Sequence, residues 1–137
     1  PWEDRMTTTT TSARTSTRVN IALWSAQLAL AGVYALAGFM KLTQPIDALT
    51  QMMGWPGSAP LLARFIGAAE LAGALGLILP MLTGIKPRLT ALAAAGLATI
   101  QVLAIPFHLY RGEYGILPIN FALLLLAVLV YRGRRNL

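Results

Sequence analysis

The stretch "RFIGAAELAGALGLILP", residues 64–80, decides the fold, because it is a nearly unbroken apolar run with one carboxylate, Glu70, well inside it. A run of this length predicts a helix that can cross the roughly 30 Å of hydrocarbon in a bilayer. The chain has 137 residues, of which 56% are hydrophobic and 12% are charged, and its mean hydropathy is +0.63. Soluble domains carry roughly 25% charged residues. The composition therefore indicates a membrane protein with one domain.

Four apolar segments follow one another along the chain, and they are predicted to span the membrane at residues 19–40, 62–82, 89–110 and 116–131. Each must be a helix, since an isolated span in lipid has to satisfy its own backbone hydrogen bonds. The loops between the second and third spans and between the third and fourth spans are short, which predicts that these consecutive helices are antiparallel neighbours. In the longer first loop, residues 45–53 are predicted to form a short interfacial helix, with Trp55 as an aromatic anchor. The predicted fold is all-α, an antiparallel four-helix transmembrane bundle over residues 19–135.

The polar ends of the chain bear on its orientation. Residues 1–18, "PWEDRMTTTTTSARTSTR", are basic and rich in threonine without apolar periodicity, which predicts a flexible tail. Most of the 11 Lys and Arg residues lie in this tail, in the second loop and at the C-terminus. An even number of spans places these three regions on one side of the membrane. The positive-inside rule then predicts that both termini are cytoplasmic.

Composition also argues against several kinds of function. The chain has no cysteine, so it offers no iron–sulfur ligands, and its single histidine, His108, cannot supply a pair of haem ligands or a typical metal site. The net charge of +6 does not indicate nucleic acid, because the basic residues lie at the edges of apolar runs. No nucleophile with a paired base and no phosphate loop is present. We therefore expect no metal, haem, iron–sulfur cluster or nucleic acid, and a non-catalytic protein is favoured over an enzyme.

The depth of each polar residue along its predicted helix places most of these residues in one half of the bundle. At about 1.5 Å per residue, Glu70 lies roughly 9 Å from Arg64 at the start of its span, and Gln101 and Tyr34 reach a similar depth. Charged residues near the midplane cost at least about 2.5 kcal/mol on insertion scales, so they face the bundle interior and mark a site. The predicted intramembrane cluster, a candidate ligand site, comprises Tyr34, Lys41, Arg64, Glu70, Gln101, His108 and Asn120.

The charged members of this cluster also have structural interpretations. Glu70 is equally compatible with a neutral or paired acid that fixes helix packing and with a ligand or proton site. Lys41 and Arg64 lie at helix ends, where such side chains usually extend to lipid headgroups rather than pair with an acid.

The neutral members have structural interpretations as well. Gln101 and Asn120 are of the type that forms hydrogen bonds between helices. His108 follows Pro106, so it is suited either to cap carbonyls freed by the proline or to contact a ligand.

Three stretches resemble a known family: "YALAGFMKLT", "RFIGAAELAGALGLILPMLTGIKPRLTALAAAGLA" and "HLYRGEYGILPINFALLLLAVLVYRGR". Together they resemble the DoxX-like family of small four-helix integral membrane proteins. The markers are Gly38-x-x-Lys41, then Gly67-x-x-Glu70-x-x-Gly73, and then Asn120. The resemblance implies a four-helix bundle in a bacterial-type cytoplasmic membrane with polar positions at Lys41, Glu70 and Asn120. The family takes its name from a subunit associated with a quinone-linked thiosulfate-oxidising system.

Three functional hypotheses follow. The first is a non-catalytic accessory or scaffold subunit that packs against other integral membrane subunits, in an electron-transfer or photosynthetic assembly, with the tail as a docking arm. Partners under this hypothesis are lipids, other subunits or further copies of the chain. The second is a protein that binds a small hydrophobic molecule, with quinone the leading candidate, through Glu70, Lys41 and His108. A proton-coupled carrier ranks last, because few polar residues lie in the other half of the bundle.

Overall fold

The computed structural model describes residues 16–137, and in that range the regular elements are helices. They are α1 (Thr17–Thr43), α2 (Ile46–Met53), α3 (Pro60–Thr83), α4 (Arg88–Tyr110), a 3-10 turn (Tyr114–Ile116) and α5 (Leu117–Arg134). Four of them, α1, α3, α4 and α5, are long and apolar enough to cross a membrane. The prediction of an all-α bundle of four long apolar helices is therefore confirmed.

Most of the predicted tail, residues 1–18, lies outside the described residues. Only its last three residues can be compared with the structure. The Ser16 hydroxyl accepts a hydrogen bond from the Val19 N–H at 3.2 Å, which satisfies one of the free donors at a helix start. Because of this cap, α1 begins at Thr17, two residues before the predicted span.

The four long helices pack in a ring, in which α1 contacts α3, α3 contacts α4, α4 contacts α5, and α5 contacts α1. The centre is filled by residues that include Leu30, Leu77, Leu97 and Val130. Large apolar side chains also cover the outside of the ring, and Leu61 is 84% exposed. A surface this apolar is stable in lipid and would be a binding or aggregation patch in water. The protein is therefore an integral membrane protein.

Two glycines bring α1 and α3 into backbone contact. A Cβ added to Gly38 would lie 2.7 Å from the Gly67 carbonyl oxygen, and a Cβ added to Gly67 would lie 2.7 Å from Lys41 Cβ. Near the other ends of these helices, Gln27 contacts Leu77, so the contacts run in opposite order along α1 and α3. The close approach places the last turn of α1 directly beside Glu70. The antiparallel order of all four helices stays a prediction.

The helix α2 occupies the position of the predicted short helix in the first loop. Its Leu49 is fully buried, and the chain turns away at Gly54, whose φ of 86° favours glycine. The Trp55 ring is only 8% exposed and packs edge-on against Phe107, with 5.8 Å between ring centroids. Trp55 therefore packs on Phe107 of α4, and its role as an aromatic anchor stays a prediction. The interfacial position of α2 stays a prediction.

Pro80 interrupts the hydrogen bonding of α3, and side chains from two neighbouring helices compensate. Because proline has no N–H, the carbonyl four residues earlier, at Gly76, lacks its helical donor. The Thr90 hydroxyl of α4 donates to this oxygen at 3.0 Å. In the next position, Gln27 of α1 donates its Nε2 to the Leu77 oxygen at 2.7 Å. The proline is thus accommodated by contacts that tie three helices together.

Candidate functional site

One cavity of about 670 Å³ is lined by nearly all the predicted site residues. It lies between the ends of the long helices and α2, and we call it the polar cavity. Its polar lining residues are Tyr34, Lys41, Glu70, Gln101, His108, Glu113 and Asn120. Every predicted site residue except Arg64 lines it, and Glu113 is an addition that the sequence did not suggest.

An ion pair between Lys41 and Glu70 forms one wall of the polar cavity. The Lys41 Nζ lies 2.9 Å from both carboxylate oxygens of Glu70, and the two side chains are 13% and 6% exposed. The close contact of α1 and α3 allows this pairing, because Gly67 lies against the backbone of Lys41 and Glu70 follows Gly67 by one helical turn. A partner of opposite charge explains how an acid is held inside an apolar helix. An ammonium has three donors, so Lys41 retains one N–H beyond the two directed at Glu70.

Arg64 lies outside the polar cavity and does not pair with Glu70. Its Nη1 donates to the carbonyl oxygens of Lys41 at 2.7 Å and Gln44 at 2.8 Å. These are carbonyls of the last turn of α1, which lack partners within the helix. Arg64 therefore fixes the end of α1 and, with it, the backbone of Lys41. The depth of Arg64 along α3, from which the sequence analysis worked, does not show whether its side chain extends into the cluster or towards the end of α1.

Two further lining residues of the polar cavity carry amides whose hydrogen bonding is incomplete. Gln101 donates its Nε2 to the Tyr34 hydroxyl oxygen at 2.6 Å, so it links α4 to α1 as its residue type suggested. Its other amide atom, Oε1, is buried without a partner among the described residues, and so is the Nδ2 of Asn120 on α5. A buried polar atom without a hydrogen bond costs about 1 to 3 kcal/mol. Both residues line the polar cavity, so a polar partner bound there would remove this cost.

A cluster of charged side chains lies at the loop end of the polar cavity. Arg111 donates its Nε to Glu113 Oε1 at 2.7 Å, and His108 Nδ1 lies 3.4 Å from the same oxygen. The hydrogen bond from Arg111 lowers the pKa of Glu113. The described contacts of His108 are thus with Glu113 and with the Phe107 ring, and not with carbonyls near Pro106. The sequence analysis missed Glu113 because it searched the spans, although the short turn "YRGEYG" places it beside His108.

The rest of the lining is apolar, and the polar cavity is open to the surroundings of the bundle. Phe65, Leu103 and Ile119 line it and are also more than half exposed on the outside. A volume of this size lies within the range of about 300 to 1,000 Å³ typical of small-molecule sites. The arrangement suits an apolar body that carries a few polar groups. Within residues 16–137, no group of three or more His, Asp or Glu side chains is placed to hold a metal ion.

A second polar cluster, which the sequence analysis also missed, lies near the start of α1. Arg134 is 2% exposed, and it donates its Nε to Gln27 Oε1 at 2.8 Å and its Nη1 to Asn20 Oδ1 at 2.9 Å. The sequence had assigned Arg134 to the positively charged C-terminus. Gln27 lies seven residues before Tyr34, on the stripe of α1 that faces the bundle, and this spacing was the available signal.

Comparison with known proteins gives one match. A model of the DoxX-like family matches residues 25–130, a range that includes every residue of the predicted cluster. None of the curated proteins and none of the solved structures matches the chain.

Proposed function

The chain belongs to the DoxX-like family, and we propose that this integral membrane protein binds a small lipid-soluble molecule in the polar cavity. The observation that carries the proposal is the coincidence, in one apolar-walled space, of a buried ion pair with two buried amide atoms that lack partners. A quinone is the leading candidate, because its flat apolar ring and its ring oxygens match the apolar walls and the polar groups. This is the second of the functions that the sequence suggested.

The opening of the polar cavity supports a ligand that is dissolved in the bilayer. The exposed rim residues Phe65, Leu103 and Ile119 are apolar, so a hydrophobic molecule can approach between helices without crossing water. Inside, Trp55, Phe107 and Met52 offer aromatic and thioether surface for a ring. The polar groups lie on the walls beyond this surface.

The ion pair supplies the charged part of the proposed contact. A ligand oxygen beside Lys41 accepts the ammonium N–H that Glu70 does not use, and hydrogen bonds to a charged group contribute about 1.5 to 3 kcal/mol. A purely structural ion pair would need no adjoining cavity. The cavity beside this pair is the reason to assign it a role in binding.

The test is the affinity of the purified protein for a short-chain 1,4-benzoquinone. Binding is measured by saturable quenching of the tryptophan fluorescence, to which Trp55 in the cavity lining contributes. We expect the double variant Lys41→Met/Glu70→Gln to bind at least about tenfold more weakly than the unmodified protein. Thr99→Val is the matched control, because Thr99 is exposed and bonds only to Ala95 in its own helix. Equal affinity of the double variant and the unmodified protein would remove the proposal.

A second candidate function is the accessory subunit, and it is favoured by one feature outside the polar cavity. A groove of about 430 Å³ lies along α3 and α4, and small residues, among them Gly73, Gly76 and Gly96, line it. Small faces allow a helix of another subunit, or of a second copy, to approach closely. Recovery in a stoichiometric complex that Gly96→Leu disrupts would support this function. A solitary, monodisperse protein in mild detergent would contradict it.

We also propose a bacterial-type cytoplasmic membrane as the location, with both termini in the cytoplasm. The support is the concentration of Lys and Arg at the chain ends and in the loop between α3 and α4. On this orientation the polar cavity lies in the half of the bundle that faces away from the cytoplasm.

A further inference from the structure

We infer that Gln101 and Asn120 select for a hydroxyl group on the ligand, so that the polar cavity prefers a hydroxylated ring, such as a hydroquinone or another phenol, to a ring without O–H. This inference rests on the proposed function, since it names the chemical class that the same cavity takes. It follows from which polar atoms of the cavity are already engaged and which are not.

Most of the strong polar groups in the polar cavity already engage each other. Lys41 and Glu70 are paired through both carboxylate oxygens. Glu113 accepts a hydrogen bond from Arg111. Among the residues that line the polar cavity, the side-chain atoms that are buried without a partner are the acceptor Gln101 Oε1 and the donor Asn120 Nδ2; a third such atom among the described residues, Arg134 Nη2, belongs to the cluster with Gln27 and Asn20. The demand for a ligand partner is therefore concentrated on these two neutral amides, on α4 and α5.

The two amide atoms require opposite properties of the ligand. Asn120 Nδ2 needs an acceptor, which a carbonyl, an ether or a hydroxyl oxygen can supply. Gln101 Oε1 needs a donor, which neither a carbonyl nor an ether can supply. A hydroxyl group donates one hydrogen bond and accepts others, so it can serve either atom, whereas a carbonyl or an ether can serve only Asn120.

Tyr34 reinforces this selection. Its hydroxyl oxygen accepts the hydrogen bond from Gln101 Nε2 at 2.6 Å, and in this orientation the amide oxygen is turned away from the tyrosine. The tyrosine ring is 2% exposed, so the pair is held in place by packing. A site built to hydrogen-bond a hydroxyl rejects an analogue without it more strongly than an apolar pocket rejects a change of size.

The experiment compares two probes of the same ring, a short-chain alkyl hydroquinone and its dimethyl ether, on the purified full chain in detergent. The ether keeps the acceptor oxygens and lacks the donors. We expect the unmodified protein to bind the hydroquinone at least about tenfold more tightly than the ether. This ratio should fall towards one in the variant Gln101→Met/Asn120→Leu, because the variant lacks the Gln101 oxygen that distinguishes a hydroxyl from an ether. Gln51→Met, an exposed glutamine on α2, is the matched control and should keep the full ratio.

Three results would overturn the inference, and they have different consequences. If both probes bind the unmodified protein equally, the cavity binds ligands without selecting a hydroxyl, and the proposed function survives. If the ratio is large but persists in Gln101→Met/Asn120→Leu, the selection belongs to other residues. If neither probe shows saturable binding, the proposed function fails together with the inference. The probe ratio in the unmodified protein does not depend on whether any variant folds.

Discussion

The ion pair between Lys41 and Glu70 explains how an acidic residue is accommodated inside an apolar helix. Taking both charges out of water is costly, and their mutual attraction offsets this cost only while both are present. Removing one partner leaves the other charge uncompensated, whereas replacing both with neutral side chains of similar size leaves no buried charge. The stability of single and double variants therefore reports directly on the pair.

We predict that Lys41→Met lowers the free energy of unfolding by about 3 kcal/mol and that Lys41→Met/Glu70→Gln recovers most of this loss. The measurement is unfolding in mixed micelles with increasing sodium dodecyl sulfate. Thr99→Val again serves as the control, with a stability close to that of the unmodified protein. A double variant no more stable than Lys41→Met would show that the pair is not coupled.

Glu113 gives a prediction about pH, because the hydrogen bond from Arg111 lowers its pKa from the usual 4.5. A carboxyl whose pKa is lower in the folded state contributes stability above its unfolded pKa and loses it as the pH falls through the folded value. We expect Glu113→Gln to have a lower thermal midpoint than the unmodified protein at about pH 7, with the difference narrowing at an acidic pH below the usual pKa of 4.5. A thermal scan at both pH values checks this, and a difference that stays constant would contradict it.

At the scale of the helices, glycine determines how closely α1 and α3 approach. Alanine in place of a helical glycine usually stabilises a helix by about 0.5 to 1 kcal/mol. At Gly67 the added Cβ would lie 2.7 Å from Lys41 Cβ and 3.0 Å from the Gly38 oxygen, so one helix must move. Forced contacts of this kind cost about 1 to 3 kcal/mol, which outweighs the gain in propensity.

We therefore predict that Gly67→Ala lowers the thermal midpoint and also weakens binding of the hydroquinone probe, because Lys41 is displaced. Gly96→Ala is the matched control, since its added Cβ meets nothing within 4 Å. It should leave the midpoint unchanged or raise it. Equal behaviour of the two alanine variants would mean that the α1–α3 contact is not tight.

The interruption at Pro80 gives a second prediction at this scale. Thr90→Val removes the donor that satisfies the Gly76 carbonyl oxygen, whereas Thr99→Val removes only a bond within α4. Hydrogen bonds between membrane helices contribute about 0.6 kcal/mol on average and up to about 1.7 kcal/mol. We expect a loss of about 1 kcal/mol for Thr90→Val and almost none for Thr99→Val in the same micelle assay. An equal loss of stability in both variants would show that the hydrogen bond from Thr90 to Gly76 of α3 does not contribute to stability.

For the whole molecule, two kinds of feature could be predicted from the sequence: the membrane-spanning helices, from hydrophobicity, and the common level of the polar residues, from their depth along those helices. Long apolar runs identify spans because lipid requires helices, and depth placed Glu70, Gln101 and Tyr34 at one level. The structure then brought these residues to one cavity. Depth does not say in which direction a side chain extends, so Arg64 was assigned to the cluster although it caps α1.

Contacts between distant parts of the chain were the least predictable. The cluster of Arg134 with Gln27 and Asn20 joins residues more than 100 positions apart, and it depends on the packing of α5 against α1. A basic residue near a C-terminus ordinarily faces headgroups, so nothing local in the sequence distinguished Arg134 from Arg132. The burial of Trp55 was unpredictable for the same reason, because it depends on the position of Phe107 in another helix.

The orientation of the molecule decides which compartment the polar cavity serves, and the absence of cysteine makes it testable. With both termini cytoplasmic, the turn at Tyr114 faces outward and the turn at Ile85 faces the cytoplasm. Both side chains are more than half exposed, so cysteines at these positions should be reachable. We predict that Tyr114→Cys reacts with a membrane-impermeant maleimide in intact cells and that Ile85→Cys reacts only after permeabilisation. The reverse pattern, or a reporter fused at Leu137 that reads as extracytoplasmic, would contradict this orientation and place the polar cavity in the cytoplasmic half of the bilayer.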